Sequence, residues 1–206
     1  STGDRLDFSS EHFSFNLMTP NFTPPRLQGN PPPIHIAAVG PAMLRLAARE
    51  CDGVMLHSFC SRHYLTETIL PLIEETLQKA GKRRSDFEIS GGGFVVTGND
   101  EEEISKQFEW VRSRIAFYGS TPAYWPVLEA SGQTGLGQEL LALSKTQSWD
   151  EMTRLIDDEL VYEFAAVGNH NSIAEAVADY FGGLTDSIAI DPNTSVDALS
   201  AIRHIP

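Results

Sequence analysis

Pro31-Pro32-Pro33-Ile34-His35-Ile36-Ala37-Ala38-Val39-Gly40-Pro41-Ala42-Met43-Leu44-Arg45-Leu46-Ala47-Ala48-Arg49 is the stretch that decides the fold. The three prolines bar a helix or a central strand up to residue 33. Ile34 to Val39 is then a short, nearly continuous apolar run, the pattern of a buried strand. Gly40-Pro41 ends it, and Ala42 to Arg49 reads as a helix with proline close to its start. Strand, Gly-Pro and helix in that order predict a tight βα turn.

The same unit recurs downstream. Cys51-Asp52-Gly53 ends the helix and Val54-Met55-Leu56-His57 is a second short strand. A long helix follows, with its apolar stripe at Leu65, Ile69, Leu72, Ile73 and Leu77. Gly81 and Lys82-Arg83-Arg84 mark its C-terminal end, where cations suit the helix dipole. Phe87 to Thr97, with glycines at 91–93, reads as a third strand, the glycines leaving room for a bulky neighbour. Asp100 to Glu103 open the next helix with carboxylates at its first turn, and Ile104, Phe108, Val111 and Ile115 form its apolar face. The rhythm breaks at 117–167, where an aromatic, loop-like start (Phe117 to Trp125) leads into short helices near 138–145, 148–156 and 157–166. A helix to Tyr180, a fourth strand Ser187-Ile188-Ala189-Ile190 and a helix through Val196, Leu199 and Ile202, ending at Ile205-Pro206, complete the chain.

Strands alternating with helices predict an α/β protein with a parallel sheet. Residues 1–33 are a Pro-rich lead-in, and 34–206 the domain with its helical insertion at about 117–167. A closed barrel of eight βα units needs about 250 residues, so by spacing alone half a barrel and an open sheet both fit. At 206 residues the chain can bury a sizeable core. Fifteen Lys and Arg against 28 Asp and Glu give a net charge of −13, which repels a phosphate backbone and argues against nucleic acid. No apolar run reaches membrane-span length, and no signal peptide is expected. Cys51 and Cys60 are too few for a disulfide framework and are expected as reduced thiols of a cytoplasmic protein.

The passage Pro32 to Ala47 followed by Cys51-Asp52-Gly53-Val54 resembles the luciferase-like monooxygenase superfamily. Leu70-Pro71, Ile115-Ala116-Phe117-Tyr118-Gly119-Ser120-Thr121-Pro122-Ala123-Tyr124 and Val167-Gly168 are most similar to its deazaflavin-dependent oxidoreductases, which use coenzyme F420. The resemblance implies the second half of a (β/α)8 TIM barrel, with Ile34–Val39, Val54–His57, Glu88–Val96 and Ser187–Ile190 as strands five to eight and a helical insertion before the last helix–strand pair. It implies hydride transfer between F420 and a small organic substrate, with an FMN-dependent monooxygenase as the alternative. The acid/base residues would then stand in the half that carries strands one to four, so this chain alone is expected to be inactive. A half barrel that self-associates without catalysis is the reading from another class, and association with a second copy or with an N-terminal half is expected either way.

Val39-Gly40-Pro41-Ala42 is the best local site. A strand end running into a helix start presents unpaired N–H groups to an anion, although any βα turn favours Gly and Pro. Pro41 has no donor, so Ala42 and Met43 must supply them. The resemblance gives this turn the phosphate-bearing tail of the cofactor, and gives His57 and Ser58 further contacts to it. A structural histidine is the competing reading for His57 and the better one for His35. Tyr118, Tyr124 and Trp125 either pack beneath the insertion or line a substrate pocket. His12, His63, His170 and His204 have no Glu or Asp at ligand spacing, so no metal site is expected, and no Gly-x-Ser-x-Gly elbow supports a serine nucleophile.

Overall fold

The computed structural model describes residues 5–23, 25, 28–190 and 196–202, with the side chains of Ala198 and Ala201 excepted. Pro24 and Ile205-Pro206 lie outside the described residues. The chain divides into the units Ser1–Pro33 and Ile34–Pro206. In the first, β1 (Phe8–Ser9) and β2 (Ser14–Phe15) pair antiparallel, Phe8 opposite Phe15. The Ser10 N–H donates to Phe13 O at 2.8 Å and closes their turn.

In the second unit β3 (His35–Ala38), β4 (Gly53–Leu56) and β5 (Glu88–Gly91) form a parallel sheet in that order. Helix α1 (Pro41–Glu50) links β3 to β4. A second helical crossover links β4 to β5: α2 (Arg62–Tyr64), a wide π turn (Leu65–Ile69) and α3 (Leu70–Lys79). The rows Ile36–Val54–Ile89 and Ala38–Leu56–Gly91 belong to one core with Leu44, Ala47, Ala48, Leu65, Ile69, Ile73 and Leu77. The alternate row, Ala37–Met55–Ser90, lies on the other face, where Met55 is 53% exposed. Parallel sheets are normally covered on both faces; among the described residues, Ala37 and Met55 of this second face stand exposed.

The π turn has a local cause. Leu65, Ile69, Ile73 and Leu77 are buried at steps of four, and at about 100° per residue such a stripe drifts around a regular helix. Widening one turn, with the Leu70 N–H on Leu65 O, pulls the stripe back. Pro71 follows, a residue with no N–H to continue the regular ladder.

The third strand is not continuous, which corrects the sequence reading of Phe87 to Thr97. Gly91 (φ +86°) and Gly92 (φ +95°) take the left-handed region and break it. Beyond the break, β6 (Phe94–Gly98) starts a second parallel pair with β7 (Ala165–Asn169). Gly93 makes room for a bulky neighbour, as expected: a Cβ there would stand 2.7 Å from Tyr180 Cε1. β7 itself was read as the end of the helical insertion; an Ala-Ala-Val-Gly run has little strand propensity of its own, and pairing with β6 decides its state. Ser187–Ile190 is reduced from a strand to one parallel bridge, Ser187 to Ser90. There the Asp186 carboxylate, not a backbone carbonyl, accepts the Ile89 N–H at 2.7 Å, and it also binds Arg84 at 2.8 Å.

Between β6 and β7 run α4 (Glu101–Gly119), a 3-10 turn (Pro122–Tyr124), α5 (Trp125–Ala130), α6 (Leu136–Lys145), α7 (Trp149–Arg154) and α8 (Asp158–Phe164). The stretch Phe117 to Trp125, read as loop-like, is therefore largely helical. Asp100 caps α4 through the Glu103 N–H at 2.9 Å, as its acidic start implied. Helices α9 (Ile173–Phe181) and α10 (Val196–Ile202) close the described chain.

The glycine break makes a testable contrast. A Cβ at Gly91 would lie 2.6 Å from Leu56 O on a left-handed backbone, whereas at Gly40 (φ −85°) it would meet nothing within 4 Å. Gly91→Ala is expected to lower the unfolding free energy by about 2–4 kcal/mol and Gly40→Ala by about 1 kcal/mol or less, read from urea titrations. Equal stability of the two variants would contradict the break.

Candidate functional site

The three strands of the first sheet end in register at Ala38, Leu56 and Gly91. The segments that leave them, Val39–Ala42, His57–Ser61 and Gly92-Gly93, therefore emerge along one edge. The carboxyl edge is where parallel α/β sheets collect their ligands.

At the first segment Gly40 is the N-cap of α1 and Pro41 its first residue, with no side chain capping the end. The Leu44 N–H turns back to Gly40 O at 3.1 Å. Ala42 and Met43, both exposed, keep N–H groups at the positive end of a ten-residue helix. Gly40 leaves its surroundings open although neither its φ nor its packing demands glycine. An anion can approach the backbone closely there.

The second segment begins with His57, half-buried, whose Nδ1 accepts the Phe59 N–H at 2.9 Å. Its ring stands edge-on to Tyr118 at 4.6 Å and 5.4 Å from Tyr124. Burial lowers the imidazole below its ordinary value of 6.5. Phe59, 1% exposed, packs on Tyr124 at 5.3 Å and on Phe164 at 4.9 Å. The cluster ties the end of β4 to α4, the 3-10 turn and α8. Ser58 is half-buried and its carbonyl accepts the Cys60 N–H at 2.8 Å. Burial pushes the Cys60 thiol up to about 12, which leaves it an inert core sulfur rather than a nucleophile.

The structure thus brings His57, Tyr118 and Tyr124 together, and sets Val39 and His57 each one residue past a paired position on neighbouring strands. Trp125 is not among them. Its Nε1–H donates to Gly119 O at 3.1 Å and its ring fills the space left by Gly137, where a Cβ would come within 2.3 Å of it. That is a structural post inside the helical insertion. Phe59 is the residue the sequence reading passed over; its signal was a large apolar side chain directly after a strand, between Ser58 and Cys60. His35 Nε2 stands 3.7 Å from Glu88 across the sheet. Among the described residues no cluster of three or more His, Cys, Asp or Glu can hold a metal ion, and no helix is long and apolar enough to cross a membrane. An open surface groove lies elsewhere, around Arg112, whose guanidinium is already engaged by Glu109, Asp158 and the Ile156 carbonyl.

Known proteins place this architecture. The chain is 41% identical over 186 residues to the uncharacterized protein Rv1360 of Mycobacterium tuberculosis, covering 90% of this chain and 55% of that one. It is 27% identical to the 5,10-methylenetetrahydromethanopterin reductase of Archaeoglobus fulgidus, over 92% of this chain and 56% of the reductase. It therefore spans about half the length of the relatives it matches. Its fold is that of the coenzyme F420-dependent tetrahydromethanopterin reductase from Methanopyrus kandleri, at a TM-score of 0.64 and 21% identity over 82% of this chain and 48% of that one. With the family profile matching residues 1–187, the chain belongs to the luciferase-like monooxygenase family.

Proposed function

We propose that this chain is the cofactor-tail half of an oxidoreductase that moves a hydride between coenzyme F420 and a small organic substrate. The observation that carries the reading is the carboxyl edge of the sheet: an uncapped helix start at Gly40–Met43 beside a half-buried histidine set between two tyrosines. The F420-dependent relatives support the choice of cofactor. Ala42 and Met43 would hold a phosphate through their N–H groups, with Gly40 open for its approach. His57 would donate to the same ligand, Ser58 would add a hydroxyl, and Tyr118 and Tyr124 would wall the substrate side. Bound deazaflavin would supply the hydride chemistry; the protein would supply binding and orientation.

We read the three-stranded sheet with its Ser187 bridge as strands five to eight of a (β/α)8 barrel. Its bare face, with Met55 and Ala37 exposed, favours a cover by strands one to four or by a second copy. A cytoplasmic location fits two buried, unpaired cysteines.

Three measurements test these readings. In the full-length protein, fluorescence titration with F420 is expected to show Gly40→Val weakening affinity about tenfold or more, the worth of one or two charge-assisted contacts. Unchanged affinity would remove the turn from the site, and tighter binding of FMN would transfer the reading to a flavin monooxygenase. The 206-residue chain is expected to show no turnover of F420 over alcohols and enones. Tail contacts stabilise ground and transition states alike, and a misplaced ring by about 1 Å costs roughly a hundredfold. Turnover above free cofactor would refute the half-site reading. Light scattering after size exclusion is expected to give a mass above 22.7 kDa; a stable monomer would count against the covered face.

A further inference from the structure

His57 has two unequal nitrogens. Nδ1 accepts the Phe59 N–H at 2.9 Å, so it carries no proton in the neutral ring. The proton must then sit on Nε2, which donates to no described residue. The titratable groups that face the ring are the phenols of Tyr118, from α4, and Tyr124, from the 3-10 turn. The only cause that shifts its titration is burial, which favours the uncharged form. Phe59 cannot easily give way, since its own ring is wedged between Tyr124 and Phe164.

We propose that His57 is the fixed hydrogen-bond donor of this edge, its Nδ1 committed to the Phe59 amide and its Nε2–H offered to an acceptor oxygen of the bound cofactor. The proposal rests on the reading that this edge holds a cofactor. It gives His57 a single tautomer before any ligand arrives, so binding needs no proton rearrangement. It also makes the segment sensitive to acid. Protonation turns Nδ1 into a donor facing another donor, and the Phe59 bond is lost. Because the folded value lies below 6.5, the stability tied to this bond is complete above pH 6.5 and declines as the pH falls through the lowered value.

Two substitutions separate the nitrogens. In His57→Asn the side-chain oxygen takes the place of Nδ1 and the Nε2 donor is gone. In His57→Gln a donor nitrogen is placed near Nε2 and the acceptor is gone. Long-range 1H–15N spectra of the unliganded chain are expected to show the Nε2–H tautomer and a midpoint below 6.5. An Nδ1–H tautomer, or a midpoint at or above that value, would overturn the proposal. Hydrogen exchange at the Phe59 amide is expected to quicken about tenfold in His57→Gln and to stay near the parent rate in His57→Asn. Equal rates in the two variants would also overturn it.

In the full-length protein, F420 affinity is expected to fall about tenfold in His57→Asn and much less in His57→Gln. If the parent binds F420 and neither variant differs, the donor role is refuted. The same contrast with F420 but not with its phosphate-free deazariboflavin core puts the acceptor on the phosphate; a contrast with both puts it on the ring. A parent that binds neither F420 nor FMN refutes the cofactor reading instead, and the spectra still decide the tautomer.

Discussion

Leu56 meets Gly91 at a point where the backbone admits no side chain. The ladder Ala38–Leu56–Gly91 ends there, and a Cβ on Gly91 would lie 2.6 Å from the Leu56 carbonyl oxygen. The left-handed turn at Gly91 and Gly92 then sends β6 out of the first sheet and toward β7. Everything from α4 to α8 is hung between β6 and β7, so the aromatic residues that reach His57 owe their position to this break. With a side chain at Gly91, β5 would have to lift away from β4, and the shared carboxyl edge would be lost with it.

A second set of contacts holds that edge from behind. Lys82 Nζ donates to Ala48 O at 3.2 Å and to Cys51 O at 2.6 Å. Of the basic cluster after α3, Lys82 thus serves the C-terminal end of α1, satisfying carbonyls there and suiting its negative pole, while Arg83 pairs with Asp86 and Arg84 with Asp186. With that end pinned and Pro41 fixing its first turn, α1 presents its N-terminus at a set place on the edge. On the other side Tyr180 donates to Glu163 O at 2.8 Å and Cys60 O at 3.3 Å. One phenol therefore ties α9 to the end of α8 and to the segment that follows His57.

What could be read from the sequence was what local chemistry decides alone. The prolines at 31–33, the Gly40-Pro41 turn, the acidic start of α4 and the apolar stripe of α3 each act within a few residues, and the structure keeps all of them. Residues that depend on distant partners were not legible. Ala165 to Asn169 becomes a strand because β6 lies beside it. Ser187 to Ile190 shrinks to one bridge because the Asp186 side chain takes the Ile89 N–H on its near side and the left-handed Gly91 and Gly92 turn the partner strand away on its far side. Of the candidate site, Gly40 and His57 were found by their place after strands. The separation of Trp125 from Tyr118 and Tyr124 was not, since it depends on the gap left by Gly137 in another helix.

The exposed residues of the second sheet face would set a condition on any cover. The helix-covered rows are wholly apolar, with Val54 and Ile89 fully buried. The opposite rows are mixed: His35 opposes Gly53 and Glu88, and Ala37 opposes Met55 and Ser90. Glu88 already accepts from the Ser187 hydroxyl at 3.0 Å and stands 3.7 Å from His35. A greasy layer laid on this face would strip water from the carboxylate without replacing it, at a cost of several kcal/mol. A suitable cover must instead bring donors for Glu88 as well as apolar surface for Met55. The same polar row that makes this face tolerable in water therefore restricts what could cover it.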